Sequence, residues 1–354
     1  MKRRDFLKAA GVMAAGATLG LRAESAGAAA KPEQIVVMTW GGLWGDAIRE
    51  GVDAAFEKAT GVKVTQDRGS SPVERITKLK VNLGNQIFDL VQLHDGLVPL
   101  AVKQGVLEPI DRNSPRLGNL KDVYPRFIKD YWVAMIFSPL GIIYNKKLVK
   151  NPPTAFADLW RPEFKGHIVL PDVSHSIGTY IIPIGALASG KDPKDETAGF
   201  EMLKKMAGLQ PIWAKDTDTI MNALRNEEAL IGLLYTSQTY TVKGWGAPVE
   251  WVYPKEGAIL YSSGTGIAKN TKNKELAEQY LNLTLDARIE TLYSQKFNYP
   301  GTNRKMVALL SPELQEKVRI SDEELRRIIE LDHEFMGDRR AEWTERWNRV
   351  IAGG

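Results

Sequence analysis

The stretch that decides the fold runs from residue 34 to residue 64 and reads QIVVMTWGGLWGDAIREGVDAAFEKATGVKV. It begins with a short apolar run, QIVVMT, which is typical of a buried strand. Two glycines follow, and apolar residues then recur at helical spacing from Trp44 to Ala59 before Gly61 ends the pattern. The order is therefore strand, glycine turn, helix and cap, which is the start of a strand–helix–strand unit.

The same alternation continues along the first half of the chain. Residues 62–66 predict a second strand, and Ser71-Pro-Val-Glu74 predicts a helix that begins with a capping serine and a proline in its first turn. A third strand over residues 88–93 and a short helix ending at Gly105 complete the series. Such series form parallel sheets, whose ligand sites lie at the carboxyl ends of the strands.

A second α/β region follows a proline-marked stretch. Its strand candidates are residues 141–144, 167–170, 212–215 and 229–234, and its helix candidates lie near residues 176–188, 196–207 and 219–226. Two β-rich segments, 249–253 and 259–263, lead to a mainly helical end, which is strongly helical from Asp322 onward. The pattern thus indicates two α/β domains.

Composition agrees with a globular protein of two domains, because the chain has 354 residues, of which 44% are hydrophobic and 25% charged. The net charge is +4, and the first thirty residues carry most of it, so the remainder is nearly neutral. We therefore expect no nucleic-acid partner. The absence of cysteine excludes disulfides, thiolate metal sites and cysteine nucleophiles, and we expect no cofactor.

The first thirty residues resemble a twin-arginine export signal. MKRRDFLK at residues 1–8 carries the paired arginines, residues 9–21 form a mild apolar stretch, and small residues offer A-x-A cleavage sites near Ala28 to Ala30. The apolar stretch is too short and glycine-rich to span a bilayer. We expect the twin-arginine machinery to export a soluble, monomeric mature protein to the periplasm.

Enzyme motifs are mostly absent from the sequence. It contains no G-x-x-x-x-G-K-[ST] loop, no G-x-S-x-G elbow and no H-E-x-x-H helix. One enzyme alternative stays open, an exported α/β hydrolase that uses His175 with Ser174 or Ser176. This loop lacks the separated nucleophile, base and orienting acid that such chemistry uses, so the residues favour a protein without catalytic activity.

Several phrases, in this order, resemble the polyamine-type branch of the periplasmic solute-binding proteins that serve ABC importers. They are TWGG (39–42), FEKATGVKV (56–64), FDLVQLHDG (88–96), GVLEPID (105–111), GIIYNKKLV (141–149), ADLWRPEFKGHIVLPD (157–172), YPKEGAILY (253–261) and NYPGTN (298–303). The resemblance implies a two-lobed, type II-like periplasmic-binding-protein fold. Two doubly wound α/β domains would close on a small-molecule solute, which the permease subunits of the importer then receive.

The resemblance also implies the boundaries of the lobes. The chain would cross between lobes near residues 138–141 and 263–268. Residues 1–30 are then the signal; lobe 1 comprises residues 31–139 and 266–300, and lobe 2 comprises residues 140–265 and 301–354.

The resemblance places the ligand-binding residues in the cleft between the lobes. They are Trp40, Gly41, Gly42, His94, Asp95, Ser174, His175, Ser176, Tyr235, Thr236, Tyr261, Ser263 and Tyr299. Positions that are acidic in polyamine binders carry Val173, Ser176 and Ser263 here. Hydroxyls and a helix start suit an anion, and aromatic rings suit an apolar body or a cationic head. We expect a small polar solute with an anionic group.

Asp95 and Asp172 leave an alternative open. Each lies just beyond a predicted strand and is either a turn residue or a partner for a cation. If both face the cleft, the same fold would bind a polyamine or another cationic or zwitterionic amine. Trp40 and Tyr235 would then pack against its ammonium group.

Overall fold

The structure is a computed structural model, and it describes residues 32–353. The export signal and its cleavage sites lie outside the described residues. Strands and helices alternate in the predicted order. The strands in the described part are β1 (Gln34–Met38), β2 (Lys63–Asp67), β3 (Leu90–His94), β4 (Val133–Asn145), β5 (Ile168–Pro171), β6 (Ile212–Ala214), β7 (Ile231–Tyr235), β8 (Val249–Val252) and β9 (Ile259–Ile267).

Helices occupy the intervals between the strands and the end of the chain. They are α1 (Gly42–Ile48), α2 (Ala54–Thr60), α3 (Pro72–Val81), α4 (Val98–Lys103), α5 (Ile181–Ala188), α6 (Glu196–Gly208), α7 (Thr217–Arg225), α8 (Thr236–Gly244), α9 (Lys274–Thr284), α10 (Ala287–Phe297), α11 (Pro312–Val318), α12 (Asp322–Arg327) and α13 (His333–Ile351). A π-helical segment, Arg49–Asp53, joins α1 to α2, so the predicted first helix is continuous but irregular.

Two local signals in the sequence act as predicted. The α2 helix ends at Gly61, whose φ of +69° is one that glycine adopts without steric cost. The α3 helix begins with a capping box, in which the backbone N–H of Glu74 donates to Ser71 Oγ over 3.3 Å. The Glu74 carboxylate accepts from the Ser71 N–H at 2.6 Å. This box fixes where α3 leaves the β2 strand end.

One mixed sheet runs through the described chain, in the strand order β2-β1-β3-β9-β4-β7-β5-β6, with β8 paired to β4. The strands β2, β1 and β3 are parallel to one another, and so are β6, β5 and β7. The long antiparallel strands β9 and β4 lie between these two groups. The expected segments 141–144 and 259–263 are therefore parts of longer strands, because each continues through the centre of the sheet.

Two apolar cores flank the centre of the sheet. The first includes Phe56 and Phe137, and the second includes Phe156 and Leu140. The change from one core to the other falls within β4, between Phe137 and Leu140, and again within β9. Side chains in each core are removed from water, which is the main source of stability for each group of strands and helices.

The C-terminal segment differs from the continuous helical pattern expected from Asp322. Helix α12 ends at Arg327, and Ile329 then pairs with β9, donating its N–H to Ala258 O and accepting from Leu260 N, both at 2.8 Å. Helix α13 starts anew after Asp332, whose side chain caps it. The break exists because the backbone at Ile329 bonds to a strand.

Contacts around residue 301 bear on the lobe boundary. Phe137 N donates to Pro300 O at 3.0 Å, and the Thr302 hydroxyl donates to Ala134 O at 2.7 Å. Residues 300–302 thus lie beside the first core, whereas Trp343 and Trp347 belong to the second. The lobe assignment stays a prediction, and these contacts favour a boundary nearer Ile329. No helix of the described residues has the length and apolar character needed to cross a membrane.

Candidate ligand-binding cleft

Aromatic side chains from several elements form a wall at the centre of the sheet. Tyr235, the last residue of β7, and Tyr261 in β9 have ring centroids 4.8 Å apart. His94, the last residue of β3, stacks on Tyr261 at 6.3 Å. Burial raises the pKa of the Tyr235 and Tyr261 hydroxyls, and nearby Tyr299 raises both further. The structure thus brings four predicted site residues together as neutral aromatic groups that are able to form hydrogen bonds. They are His94, Tyr235, Tyr261 and Tyr299.

A cluster of hydroxyls lies next to this wall, where β4 passes from one core to the other. The Ser138 and Thr236 hydroxyl oxygens are 3.0 Å apart, and the Ser138 hydroxyl donates to Ser237 Oγ at 3.1 Å. Ser237 in turn hydrogen-bonds to Tyr299, which lowers the pKa of Tyr299 against the larger effect of burial. The Tyr235 hydroxyl is buried and has no hydrogen-bond partner among the described residues.

Trp40 follows β1 and is half-buried. It packs against Arg75, a residue that the sequence analysis did not select. The guanidinium carbon of Arg75, on α3, lies 4.4 Å from the Trp40 ring centroid, a cation–π contact. Arg75 is fully buried. Its Nη1 donates to Gln92 O at 2.7 Å and its Nε to Ser70 O at 3.2 Å. Burial lowers the pKa of Arg75 to about 10.

Two donors in this corner of the cleft lack acceptors. Arg75 Nη2 and Gln92 Nε2 are buried and make no hydrogen bond within the described chain. The other amide atom of Gln92, Oε1, accepts from the Thr39 hydroxyl at 2.6 Å and from Trp44 Nε1 at 3.1 Å. These bonds fix which way the amide nitrogen points and keep it a donor. Both unpaired groups are donors, so they can bond to an acceptor atom of a ligand.

Gly41 and Gly42 lie beside Trp40, as the pattern predicted. Gly42 is exposed and has a φ of +57°, a conformation that favours glycine. Gly41 precedes α1, which has seven residues before the π-helical segment. The glycines let the chain turn tightly after β1 and so place Trp40 at the strand end.

His94 and Asp95 follow one another at the end of β3 and have different environments. Burial, followed by electrostatic interaction with His333, Arg340 and Arg75, lowers the pKa of His94 to about 4. Asp95 accepts from the backbone N–H and the hydroxyl of Ser262 at 2.7 and 2.8 Å. Burial raises the pKa of Asp95. The Asp95 carboxylate thus holds β9 in place.

Ser263, the next residue along β9, is also buried. Its hydroxyl donates to Leu93 O at 3.4 Å, which ties it to β3. Because this hydroxyl already has a partner within the sheet, it contributes to the position of the strands and offers less to a ligand.

The loop after β5 contains three predicted site residues and satisfies them internally. The Ser174 hydroxyl donates to Asp172 Oδ1 at 2.6 Å. His175 is buried, with its Nε2 3.2 Å from the Thr217 hydroxyl and its Nδ1 accepting from the Ile177 N–H at 3.2 Å. Ser176 is exposed. Ser176 Oγ lies 3.4 Å from His175 Nδ1, but that nitrogen already accepts from the Ile177 N–H, so the base of the hydrolase alternative is engaged in structural hydrogen bonds.

The sequence analysis missed five residues that lie in or beside the cleft. They are Arg75, Gln92, Tyr180, His333 and Arg340. Arg75 resembles an exposed helix charge in the sequence, since it stands between Glu74 and Lys78. Its spacing of four residues from the capping Ser71 is the one available signal, because that spacing directs it back toward the strand end.

Comparison with known proteins identifies the class. Residues 52–321 match the family model of bacterial extracellular solute-binding proteins, and residues 1–20 match the twin-arginine signal. The spermidine/putrescine-binding periplasmic protein of Salmonella typhimurium is 28% identical over 88% of this chain and 90% of its own length. The gamma-aminobutyric acid-binding protein of Pseudomonas aeruginosa is 23% identical over 93% of this chain and 94% of its own.

A solved structure of an ABC transporter protein from Clostridium perfringens is 25% identical, with a TM-score of 0.78 over 90% of this chain and all of that chain. The chain therefore belongs to the bacterial extracellular solute-binding proteins. Within them it is a polyamine-binding-protein-like member that the twin-arginine pathway exports to the periplasm, where it serves an ABC importer. The predicted two-lobed fold, the role as a solute-binding component and the periplasmic location are confirmed, and the hydrolase alternative finds no support.

Proposed function

We propose that the solute bears a carboxylate or a related anionic group, and that Arg75 binds this group against Trp40. The observation that carries the proposal is the buried guanidinium of Arg75, whose Nη2 has no partner among the described residues. No described carboxylate forms a salt bridge with it; the nearby Asp67 bonds to Lys78 at 2.8 Å. A buried cation without a counter-charge is costly, so a bound anion would stabilise the closed cleft.

Gln92 strengthens this assignment. Its Nε2 is a second buried donor without a partner among the described residues. The backbone carbonyl oxygen of Gln92 accepts from Arg75 Nη1, which keeps the two side chains close together. A carboxylate has two oxygens that accept several hydrogen bonds, whereas an ammonium group can only donate. Charge-assisted bonds of this kind are about twice as strong as neutral ones.

The two carboxylates that favoured the polyamine alternative are engaged elsewhere. Asp95 accepts three hydrogen bonds, two from Ser262 and one from the Gly96 N–H at 2.8 Å. Asp172 accepts from the backbone N–H and hydroxyl of Ser174. Both bonds to Asp172 reach Oδ1, so its Oδ2 keeps room for a further donor. Polyamine binding therefore remains the alternative outcome of the experiment below.

We further propose that Tyr235, Tyr261 and Tyr299 enclose the apolar part of the solute when the lobes close. The crossings in β4 and β9 would be the hinge, and binding would change the shape without turnover. The protein would act as a monomer and without nucleic acid. Small-angle scattering should record a smaller radius of gyration with a tight ligand, and an unchanged radius with a confirmed ligand would contradict the hinge.

Calorimetric titration of the mature protein tests the proposed solute class. We expect binding of 4-aminobutyrate, glutarate or butyrate in preference to putrescine and spermidine, and we expect Arg75→Gln to abolish it. Arg288→Gln is the control, because Arg288 is exposed and its side chain makes no hydrogen bond or ion pair in the described residues. Tight binding of a polyamine without binding of any acid would contradict the proposal.

A further inference from the structure

We infer, on the basis of the proposed anion-bearing solute, that the solute also carries an uncharged hydroxylated tail, and that this tail occupies a cavity of about 240 Å³ beyond His94. The cavity lies between α4, the start of α5 and the first turns of α13. Its polar lining comes from His94, Ser176, Thr179, Tyr180, His333 and Arg340. The site would be a second end of the cleft, separate from the Arg75 corner.

His94 and Tyr180 connect the cavity to the aromatic wall. His94 stacks on Tyr261, and Tyr180 is near enough to Tyr235 to affect the pKa of its hydroxyl. The Tyr180 ring also lies 5.8 Å from the His333 ring. A ligand that lies along Tyr235 and Tyr261 can therefore extend past His94 into the cavity.

One polar atom that lines the cavity is buried and has no internal partner among the described residues. His333 Nε2 is buried and without a hydrogen bond in the described residues; its side chain is 8% exposed. The nearest carboxylate oxygen, Asp95 Oδ1, is 3.7 Å away, which is too far for a hydrogen bond. His94 and Tyr180 line the same cavity beside His333. Groups of this kind are rarely left unpaired in a buried site.

The type of these groups selects the chemistry of the tail. A neutral imidazole carries one donor and one acceptor, and so does a phenol. A ligand hydroxyl can both donate and accept, whereas a carboxylate only accepts and an ammonium group only donates. Hydroxyls are therefore the ligand groups that can satisfy His94, Tyr180 and His333 together.

The charges at the mouth of the cavity point to the same class. Lys103 Nζ lies 2.8 Å from Asp338 Oδ1, so these two charges compensate each other. Arg340 and Glu334 are the remaining charged residues in the lining, and their charges are opposite. A lining without net charge gives no preference for a second ion. At about 30 Å³ for each water-sized group, the volume accommodates about eight carbon and oxygen atoms, which is a tail of roughly four hydroxylated carbons.

Three acids of matched design test the inference. Gluconate carries five hydroxylated carbons on its carboxylate, hexanoate has the same carbon count without hydroxyls, and butyrate is shorter by two carbons and also lacks hydroxyls. We expect gluconate to bind at least about tenfold more tightly than hexanoate or butyrate, because its hydroxyls replace lost hydrogen bonds. Equal affinities for the three acids would overturn the inference and leave the proposed anion site intact. Failure of all three to bind, with a polyamine bound, would overturn both.

Point variants separate the cavity from the anion site. Tyr180→Phe keeps the ring and removes the hydroxyl, and His333→Phe puts an apolar ring in place of the imidazole, so each should weaken gluconate about fivefold and leave butyrate unchanged. Gly96→Ala should also weaken gluconate and leave butyrate unchanged, because the added methyl group takes up space in the cavity. Its Cβ would lie 3.2 Å from the His94 ring and 3.6 Å from the Tyr180 hydroxyl oxygen. Gly208→Ala is the control, because its Cβ meets open space. Equal losses for gluconate and butyrate would contradict the inference.

Discussion

The loop after β5 and the corner between β1 and α3 both follow sheet strands, and both contain polar side chains, but they differ in how those side chains are satisfied. In the loop, Ser174 bonds to Asp172, and His175 bonds to Thr217 and to the backbone. In the corner, Arg75 keeps a buried nitrogen without a partner.

This difference distinguishes a structural polar cluster from a ligand site. Buried polar groups are nearly always hydrogen-bonded, so a set that is complete within the chain has no need of a ligand. An incomplete set needs one, and the kind of atom left unpaired indicates the kind of ligand. Ser174 and His175 in the loop after β5 therefore support the structure, and the Arg75 corner is the anion site that we propose.

The largest effect that this comparison predicts follows Arg75→Met. The variant should lose about 2 to 4 kcal/mol of binding free energy for acids, since a buried, hydrogen-bonded charge is removed. Its free energy of unfolding without ligand should change by less than about 2 kcal/mol, because removal of the uncompensated charge offsets the loss of the bonds to Gln92 O and Ser70 O. Calorimetry and urea unfolding measure the two quantities, with Arg288→Met as control. A variant that binds acids normally would remove Arg75 from the site.

The opposite outcome is expected for His175→Leu in the loop. Removing the imidazole leaves the Ile177 N–H and the Thr217 hydroxyl without partners, so the free energy of unfolding should fall by about 1 to 3 kcal/mol. Affinity for acids should change less than about twofold, a shift well under 1 kcal/mol. Arg288→Gln, at an exposed position whose side chain makes no hydrogen bond or ion pair in the described residues, serves as the control. A large loss of affinity in a stable His175→Leu protein would show that the loop contacts the ligand.

The pH dependence of stability tests His94. Its pKa is about 4 in the folded protein and about 6.5 in an unfolded chain. Between these values the unfolded chain binds the proton and the folded protein does not, so stability should fall by about 1 to 3 kcal/mol as the pH falls from 6.5 to 4. Replacing His94 with Phe should flatten this part of the urea-unfolding profile. Identical profiles for the two proteins would show that His94 is accessible to water.

The smallest expected effect is that of Tyr235→Phe. The Tyr235 hydroxyl is buried without a partner among the described residues. Its removal should leave the unliganded protein about 1 kcal/mol more stable and should weaken a ligand that accepts from it by about 1 kcal/mol. Thermal unfolding with and without ligand separates these two changes. A destabilised free protein would mean that the hydroxyl has a partner within the chain.

Much of the fold could be predicted from the sequence, because the periodicity of residues 34–105 and the glycine and capping signals are local. The residues at strand ends, such as Trp40, His94 and Tyr235, were within reach for the same reason. Arg75 was not, since its burial depends on Trp40 and on the β3 backbone. His333 was hidden by the break at Ile329, which depends on pairing with β9. The loop after β5 was assigned to the ligand site because the contact between His175 and Thr217 joins distant segments and cannot be predicted from local sequence.

Native mass spectrometry of the protein purified from the periplasm tests the central claim most directly. The Arg75 corner should retain a small acid, so the wild-type protein should carry a bound mass that, on release, ionises in negative mode. The Arg75→Met protein, purified in parallel, should lack that mass, and the Arg288→Met control should keep it. Retention of putrescine or spermidine by all three proteins would contradict the account.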